Sequence, residues 1–278
     1  MRVGVCLPQF TADGAAVLAA AVEIEDLGYS AVSAFDHLSP LGGPPDRPIL
    51  ECFTLLSFVA ARTSRVRVLP LVARAGLRPP AMTAHMARTL AAVATGRLVL
   101  GFGAGDKANA AEDRSVGLPV LDQDGRRAQL VAVVEALRAD VPDVPLWLGG
   151  TSVAMQRLAG ELADGWNVWA ATPAECAAGA ATSAAAAGAA GRAAPDVTWG
   201  GQVLMAGSDD EAAARLAKWG SGRRPEELAR VVAGTADTVA TRLRALADVG
   251  VTDAQLSFVA GAAAAQRRTF AAEVLPHL

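Results

Sequence analysis

The chain is 278 residues long, 52% hydrophobic and 19% charged, a composition that excludes intrinsic disorder and a fibrous repeat and leaves room for one large core. With 25 basic against 28 acidic residues the formal charge is −3, so no cationic excess exists for a nucleic-acid backbone or an anionic membrane. Cys6, Cys52 and Cys176 form no CxxC pair, and the opening MRVGVCLPQF lacks the basic and long apolar segments of a leader, which together predict a reduced, cytoplasmic setting.

Along the chain, short β-branched runs alternate with stretches of helical period. The first strand falls at 2–7. Asp13 then caps a helix through Leu27, and Gly28 supplies the left-handed residue that ends it. Strands at 31–35 and 66–72 follow, and Pro79 and Pro80 open a helix over 82–93, since a first turn tolerates missing N–H groups. Strands at 97–102, 145–149, 165–169, 197–205 and 253–259 complete a set of eight. Between them, Thr172 with Glu175 and Ser208 with Glu211 read as capping boxes, and Thr235 opens an amphipathic helix that Gly250 stops. The alanine tract 184–190 is too short and weakly apolar to span a bilayer, and the Ala/Gly/Ser/Thr-rich stretch 174–194 around it reads as a thin solvent-side helix in preference to a disordered segment. Eight strand-then-helix units predict an α/β protein, a single (β/α)8 TIM barrel over residues 1–278, with its chemistry on the C-terminal face.

Three of those rims carry chemistry-bearing residues. After the second strand come Asp36 and His37; His37 is either a loop-bracing or capping residue, or a general acid/base or a donor to a cofactor ring, the imidazole being the side chain that titrates unassisted near neutral pH. After the fourth comes Gly101-Phe102-Gly103-Ala104-Gly105-Asp106, either a tight turn or a place where a ligand approaches the backbone. Its spacing is not GxGxxG, so it is no dinucleotide fingerprint. After the fifth, Gly149, Gly150, Thr151 and Ser152 lead into a helix whose N-terminus suits an anion. Three histidines without ligand spacing predict no metal site, and no GxSxG elbow is present. Hard chemistry would therefore fall to a cofactor, or there is none.

Several phrases together resemble the luciferase-like monooxygenase superfamily of flavin- and deazaflavin-dependent barrels: AFDH at 34–37, LRPPA at 77–81 with RTL at 88–90, GRLVLGFGAG at 96–105, LGG at 148–150 with ADGWN at 163–167, and GTADTV at 234–239 with GV at 250–251. The resemblance implies a bacterial-luciferase-like barrel holding a flavin-like tricycle. Gly149, Gly150 and Thr151 would bind its phosphate, with Ala104 and Gly105 beside them. Asp36 would flank the ring, and Leu71 and Val72 would back it at a bulge that in the family often contains a cis peptide.

The deazaflavin (coenzyme F420) branch is the most similar, with His37 and Asp106 as the implied catalytic pair. Asp106 stands where sugar-phosphate dehydrogenases of that branch carry Glu, and Leu41 where they carry Trp. With Lys107 and Lys218 the only lysines, a sugar-phosphate substrate is not expected. The stretch 219–233, with Arg223 and Arg224, either closes the pocket and binds an acidic group or is a solvated loop. The expected function is hydride transfer between F420 and a small organic substrate in a homodimer. FMN-dependent monooxygenation and a catalytically inactive ligand-binding barrel are the alternatives.

Overall fold

The structure is a computed structural model that describes residues 1–40 and 46–278; Leu41 lies outside the described residues. In chain order the elements are β1 (Arg2–Cys6), α1 (Gly14–Asp26), β2 (Ala31–Ala34), α2 (Cys52–Arg62), β3 (Arg67–Pro70), β4 (Ala73–Arg74), α3 (Pro80–Ala94), β5 (Leu100–Gly103), α4 (Ala110–Ser115), α5 (Gln123–Asp140), β6 (Leu146–Gly149) and α6 (Val153–Leu162). They continue with β7 (Gly165–Trp169), α7 (Pro173–Ala189), β8 (Asp196–Met205), α8 (Asp209–Trp219), α9 (Pro225–Ala229), β9 (Val232–Gly234), α10 (Ala236–Asp248), β10 (Val251–Phe258) and α11 (Ala263–Glu273).

The strands form one parallel sheet in the order β3-β2-β1-β10-β8-β7-β6-β5-β4. Because β3 and β4 are two halves of one interrupted strand, this order is a ring of eight. β3 pairs β2, β4 pairs β5, and Val68 bridges the gap, donating to the Arg97 carbonyl at 2.9 Å and accepting from the Val99 N–H at 3.1 Å. The predicted continuous strand over 66–72 is thus broken at Leu71–Val72, whose peptide bond is cis. β9 was not foreseen; at three residues it is too short for a period to show, and it pairs β8 at Val203 to Met205.

Local chemistry explains the helix boundaries. The Asp13 carboxylate accepts from the Ala16 N–H at 2.9 Å and starts α1, and Gly28, at φ +88, ends the turn. Thr172 and Glu175 close a full capping box. At α8 the box is shifted: Ser208 accepts from the Glu211 N–H, but Glu211 reaches back to the N–H of Gly207. The small-residue helix α7 forms as expected, for a further reason. Its stripe of Cys176, Gly179, Ser183 and Ala187 is buried, and a Cβ at Gly179 would sit 2.0 Å from the Trp166 ring. Small side chains let α7 lie close on β7 and α6.

Side chains alternate across the strands. Val3 and Val5 join the main core between strands and helices, whereas Cys6, Leu69, Leu71, Val99 and Trp147 fill the barrel interior. The N-terminal end is plugged by Asp253, which pairs with Arg2 and Arg67. The C-terminal end opens into the cavity described next. Among the described residues no helix is long and apolar enough to cross a membrane.

Candidate active site

A cavity of about 1030 Å³ occupies the C-terminal mouth of the barrel. His37, Leu71, Val72, Ala104, Gly105, Asp106, Gly149, Gly150 and Thr151 all line it. Asp36 does not. Its carboxylate is 2% exposed and is engaged by the Arg74 N–H at 2.9 Å and by Arg78 in a two-pronged pair at 2.8 and 2.9 Å. Arg78 also pairs with Glu51, the N-cap of α2, at 2.5 Å. The AFDH and LRPPA phrases therefore meet in space, and their shared task is to fix the loop that presents His37.

The imidazole of His37 is oriented by a residue the sequence did not single out. His37 Nδ1 lies 3.4 Å from Glu112 Oε2. Glu112, on α4, also accepts from the N–H groups of Leu38 and Ser39 and pairs with the buried Arg74, which in turn pairs with Asp113. Burial pushes the Glu112 carboxyl up, but His37 and the Leu38 and Ser39 amides outweigh it and bring it down to about 2. An ionised carboxylate only accepts, so the proton on that side of the ring sits on Nδ1, leaving Nε2 without a partner among the described residues. Asp106, by contrast, is exposed and is the N-cap of a 3-10 turn, accepting from the Ala108 N–H at 2.7 Å. Among the described residues nothing joins it to His37. No sequence spacing marks Glu112, six residues beyond Asp106.

The glycine-rich rims divide into two kinds. Gly101, Gly103 and Gly149 make room for strand three: a Cβ at Gly101 would fall 2.4 Å from the Pro70 carbonyl, and at Gly103 or Gly149 it would meet the Val72 methyls at 2.8 to 3.0 Å. They hold Val72 at the back of the cavity. Gly105 (φ +73) and Gly150 (φ +152) instead need conformations that L side chains rarely adopt. Gly150 is tied on both sides, its N–H donating to the Asn167 carbonyl at 3.1 Å and its carbonyl accepting from the Trp166 indole at 2.8 Å. The LGG and ADGWN phrases are thus joined as well. The Gly150 N–H is occupied; among the described residues those of Thr151 and Ser152, at the start of α6, have no protein acceptor.

An aromatic wall faces this cradle. Phe35, clamped through its backbone by the Gln9 amide, packs against Phe10 and against Trp169 at 5.5 Å. Trp169 stands over Gly200, where a Cβ would fall 2.6 Å from its ring. As the last residue of a barrel strand, Trp169 was findable by the rule that strand ends carry function. Cys6 forms part of the floor, its thiol pushed up to about 12 by burial, partly offset by the Ser33 hydroxyl, which leaves it an inert packing group. Trp219 and Arg223 reach the rim, and Arg224 turns away to Glu226 and Glu227.

Comparison with known proteins agrees with this architecture. The luciferase-like monooxygenase family model matches residues 1–253. An F420-dependent glucose-6-phosphate dehydrogenase of Beutenbergia cavernae is 32% identical over 178 residues, 54% of this chain and 51% of that protein; the chain thus aligns with about half the length of this curated relative. Among solved structures, an F420-dependent secondary alcohol dehydrogenase in complex with an F420-acetone adduct superposes with a TM-score of 0.88 at 17% identity, covering 99% of this chain and 98% of that one. The oxygenating constituent of 3,6-diketocamphane monooxygenase from Pseudomonas putida, in complex with FMN, gives 0.75 at 17% identity, covering 100% and 98%. At such identities the superpositions speak for the fold. With the family model covering residues 1–253, the chain belongs to the luciferase-like monooxygenase family.

Proposed function

We propose that this chain is an F420-dependent oxidoreductase acting on a small organic substrate. The observation that carries the proposal is a single cavity in which an apolar slot, an open helix N-terminus and an oriented imidazole converge. The slot lies between Val72 and the Phe35–Trp169 wall. The Thr151 and Ser152 N–H groups at the head of α6 point to a phosphate, which the helix dipole favours. These residues fit a planar, phosphate-bearing cofactor. When bound, F420 supplies hydride donor and acceptor chemistry at its deazaflavin ring. The names of the B. cavernae relative and of the alcohol dehydrogenase favour this cofactor.

In this role Val72 backs the ring, and Gly105, Thr151 and Ser152 hold the phosphate. His37 Nε2 takes or returns the proton on the substrate oxygen while Glu112 holds Nδ1. Glu112 is the positioning residue; Asp106, which the resemblance implies as the companion acid, lines the same cavity but is not joined to His37 among the described residues. An exposed apolar stripe on α2 and α3, including Phe58 at 60% exposure, Met82 and Val93, supports pairing with a second copy; Phe58→Glu should shift the protein to a monomer in sedimentation velocity.

The test is a panel of alcohols and hydroxy acids scored by bleaching of the F420 visible band. Turnover in the wild type with a loss of about 10²- to 10⁴-fold in His37→Ala, cofactor affinity being retained, supports the proposal. Oxygen consumption that requires FMN, with no reaction of F420, would establish the monooxygenase alternative instead.

A further inference from the structure

We infer that the cavity holds a second oxyanion, a carboxylate or phosphate carried by the substrate, on the side of the mouth opposite the glycine-rich rims. Its assignment to the substrate rests on the oxidoreductase reading above; the existence of the site does not.

The first observation is a charge imbalance confined to the cavity. The chain as a whole has more acids than bases. Yet among the described residues the cavity wall contains Arg47, Arg74, Arg126, Arg127, Arg223 and Arg267 against one carboxylate, Asp106. A guanidinium does not shed its proton, so each needs a counter-charge or water. Arg74 has Glu112 and Asp113, and Arg127 has Asp124. Among the described residues Arg47, Arg126 and Arg223 have no carboxylate partner. Arg267, only 5% exposed, pairs with Glu23 at 3.1 Å, but its Nε has no hydrogen-bond partner.

The second observation is where these groups sit. In the ring of eight, the midpoint between β5 and β6 lies four strand positions from the midpoint between β10 and β1. Arg126 is on α5, beside the β5 and β6 rims and the proposed phosphate cradle. Arg47 follows β2, Arg223 follows β8 and Arg267 follows β10, so the three flank the β10–β1 side. One phosphate at the α6 N-terminus cannot neutralise both ends of the mouth.

The third observation is how the free guanidiniums are held. Arg223 stacks over the Trp219 ring at 4.2 Å. Arg47 lies over Phe10 at 5.7 Å and donates Nε to the Phe10 carbonyl at 2.7 Å. Stacking uses the π-face and leaves N–H edges for a planar, two-pronged bond to a carboxylate or phosphate. The scarcity of lysine therefore does not leave the cavity without cations, because arginines supply them. His37, presented by the same loop after β2 as Arg47, lies on the way between the two ends.

Calorimetric titration of inorganic phosphate into the whole protein tests this, with sodium acetate in a parallel arm to separate phosphate from carboxylate preference. The cofactor-free protein should bind two phosphates, and saturation with F420 should remove one and leave the other. The remaining site should weaken about tenfold in Arg223→Gln and in Arg47→Gln and stay unchanged in Arg126→Gln. One site or none in the cofactor-free protein, or a second site indifferent to Arg223→Gln and Arg47→Gln, would overturn the inference. Should F420 fail to bind at all, the cofactor assignment falls, while the two-site count and its response to the arginine variants still decide this one.

Discussion

Glu112 is where the residue-scale chemistry concentrates: one carboxylate joins the His37 ring, two backbone amides of the His37 loop and the buried Arg74. Replacing it with Gln keeps the shape and removes the charge. Turnover of Glu112→Gln should fall about 10²-fold through misorientation of the imidazole, and the pH–rate profile should shift, whereas a merely structural role would leave the profile in place. The same group makes a stability prediction. Its folded pKa of about 2 lies below its ordinary value of 4.5, so its contribution is fully present above about pH 4.5 and is lost as the pH falls through 2. Urea unfolding should show the wild type losing on the order of 3 kcal/mol more than Glu112→Gln across that window; parallel pH curves would contradict it. His37 was legible in the sequence because histidine is rare here and stands at a strand end. Glu112 was not, because its role depends on α4 folding back over the loop after β2, a contact between residues 74 positions apart.

At the scale of elements, glycine has opposite meanings within one pair of helices. A Cβ at Gly160 of α6 would sit 2.1 Å from the Ser183 carbonyl of α7, whereas one at Gly188 of α7 would meet nothing within 4 Å. Gly160→Ala should therefore destabilise the protein by about 2 kcal/mol, and Gly188→Ala should stabilise it by roughly 0.5 kcal/mol; denaturant midpoints at constant m-value check both signs. Caps and stop signals were readable beforehand at Asp13, Thr172, Thr235 and Gly250, since each acts within four residues of chain. The three-residue β9 and the short α4 were not, since each is set by packing from distant segments; the break at Leu71–Val72, which no local signal marks, falls where the family resemblance implies a bulge. The phrases AFDH, LRPPA, LGG and ADGWN carry the family resemblance, and the structure shows that several of their members are braces: Asp36 holds Arg78, and Trp166 and Asn167 hold Gly150.

For the whole molecule, eight strand-and-helix units made the barrel legible, because the alternation runs from end to end and a ring is what short parallel strands covered by helices close into. Which cofactor fills the mouth was not legible, since a phosphate cradle and an apolar slot serve a flavin and a deazaflavin alike. The most direct measurement is an equilibrium titration of the intact protein with F420 and with FMN, read by tryptophan quenching; Trp169 on the cavity wall and Trp219 at its rim are built-in reporters. Saturable quenching by F420, at least about tenfold tighter than by FMN and weakened in Gly150→Leu, is the predicted result. Tighter binding of FMN, or no saturable binding of either, would contradict the assignment.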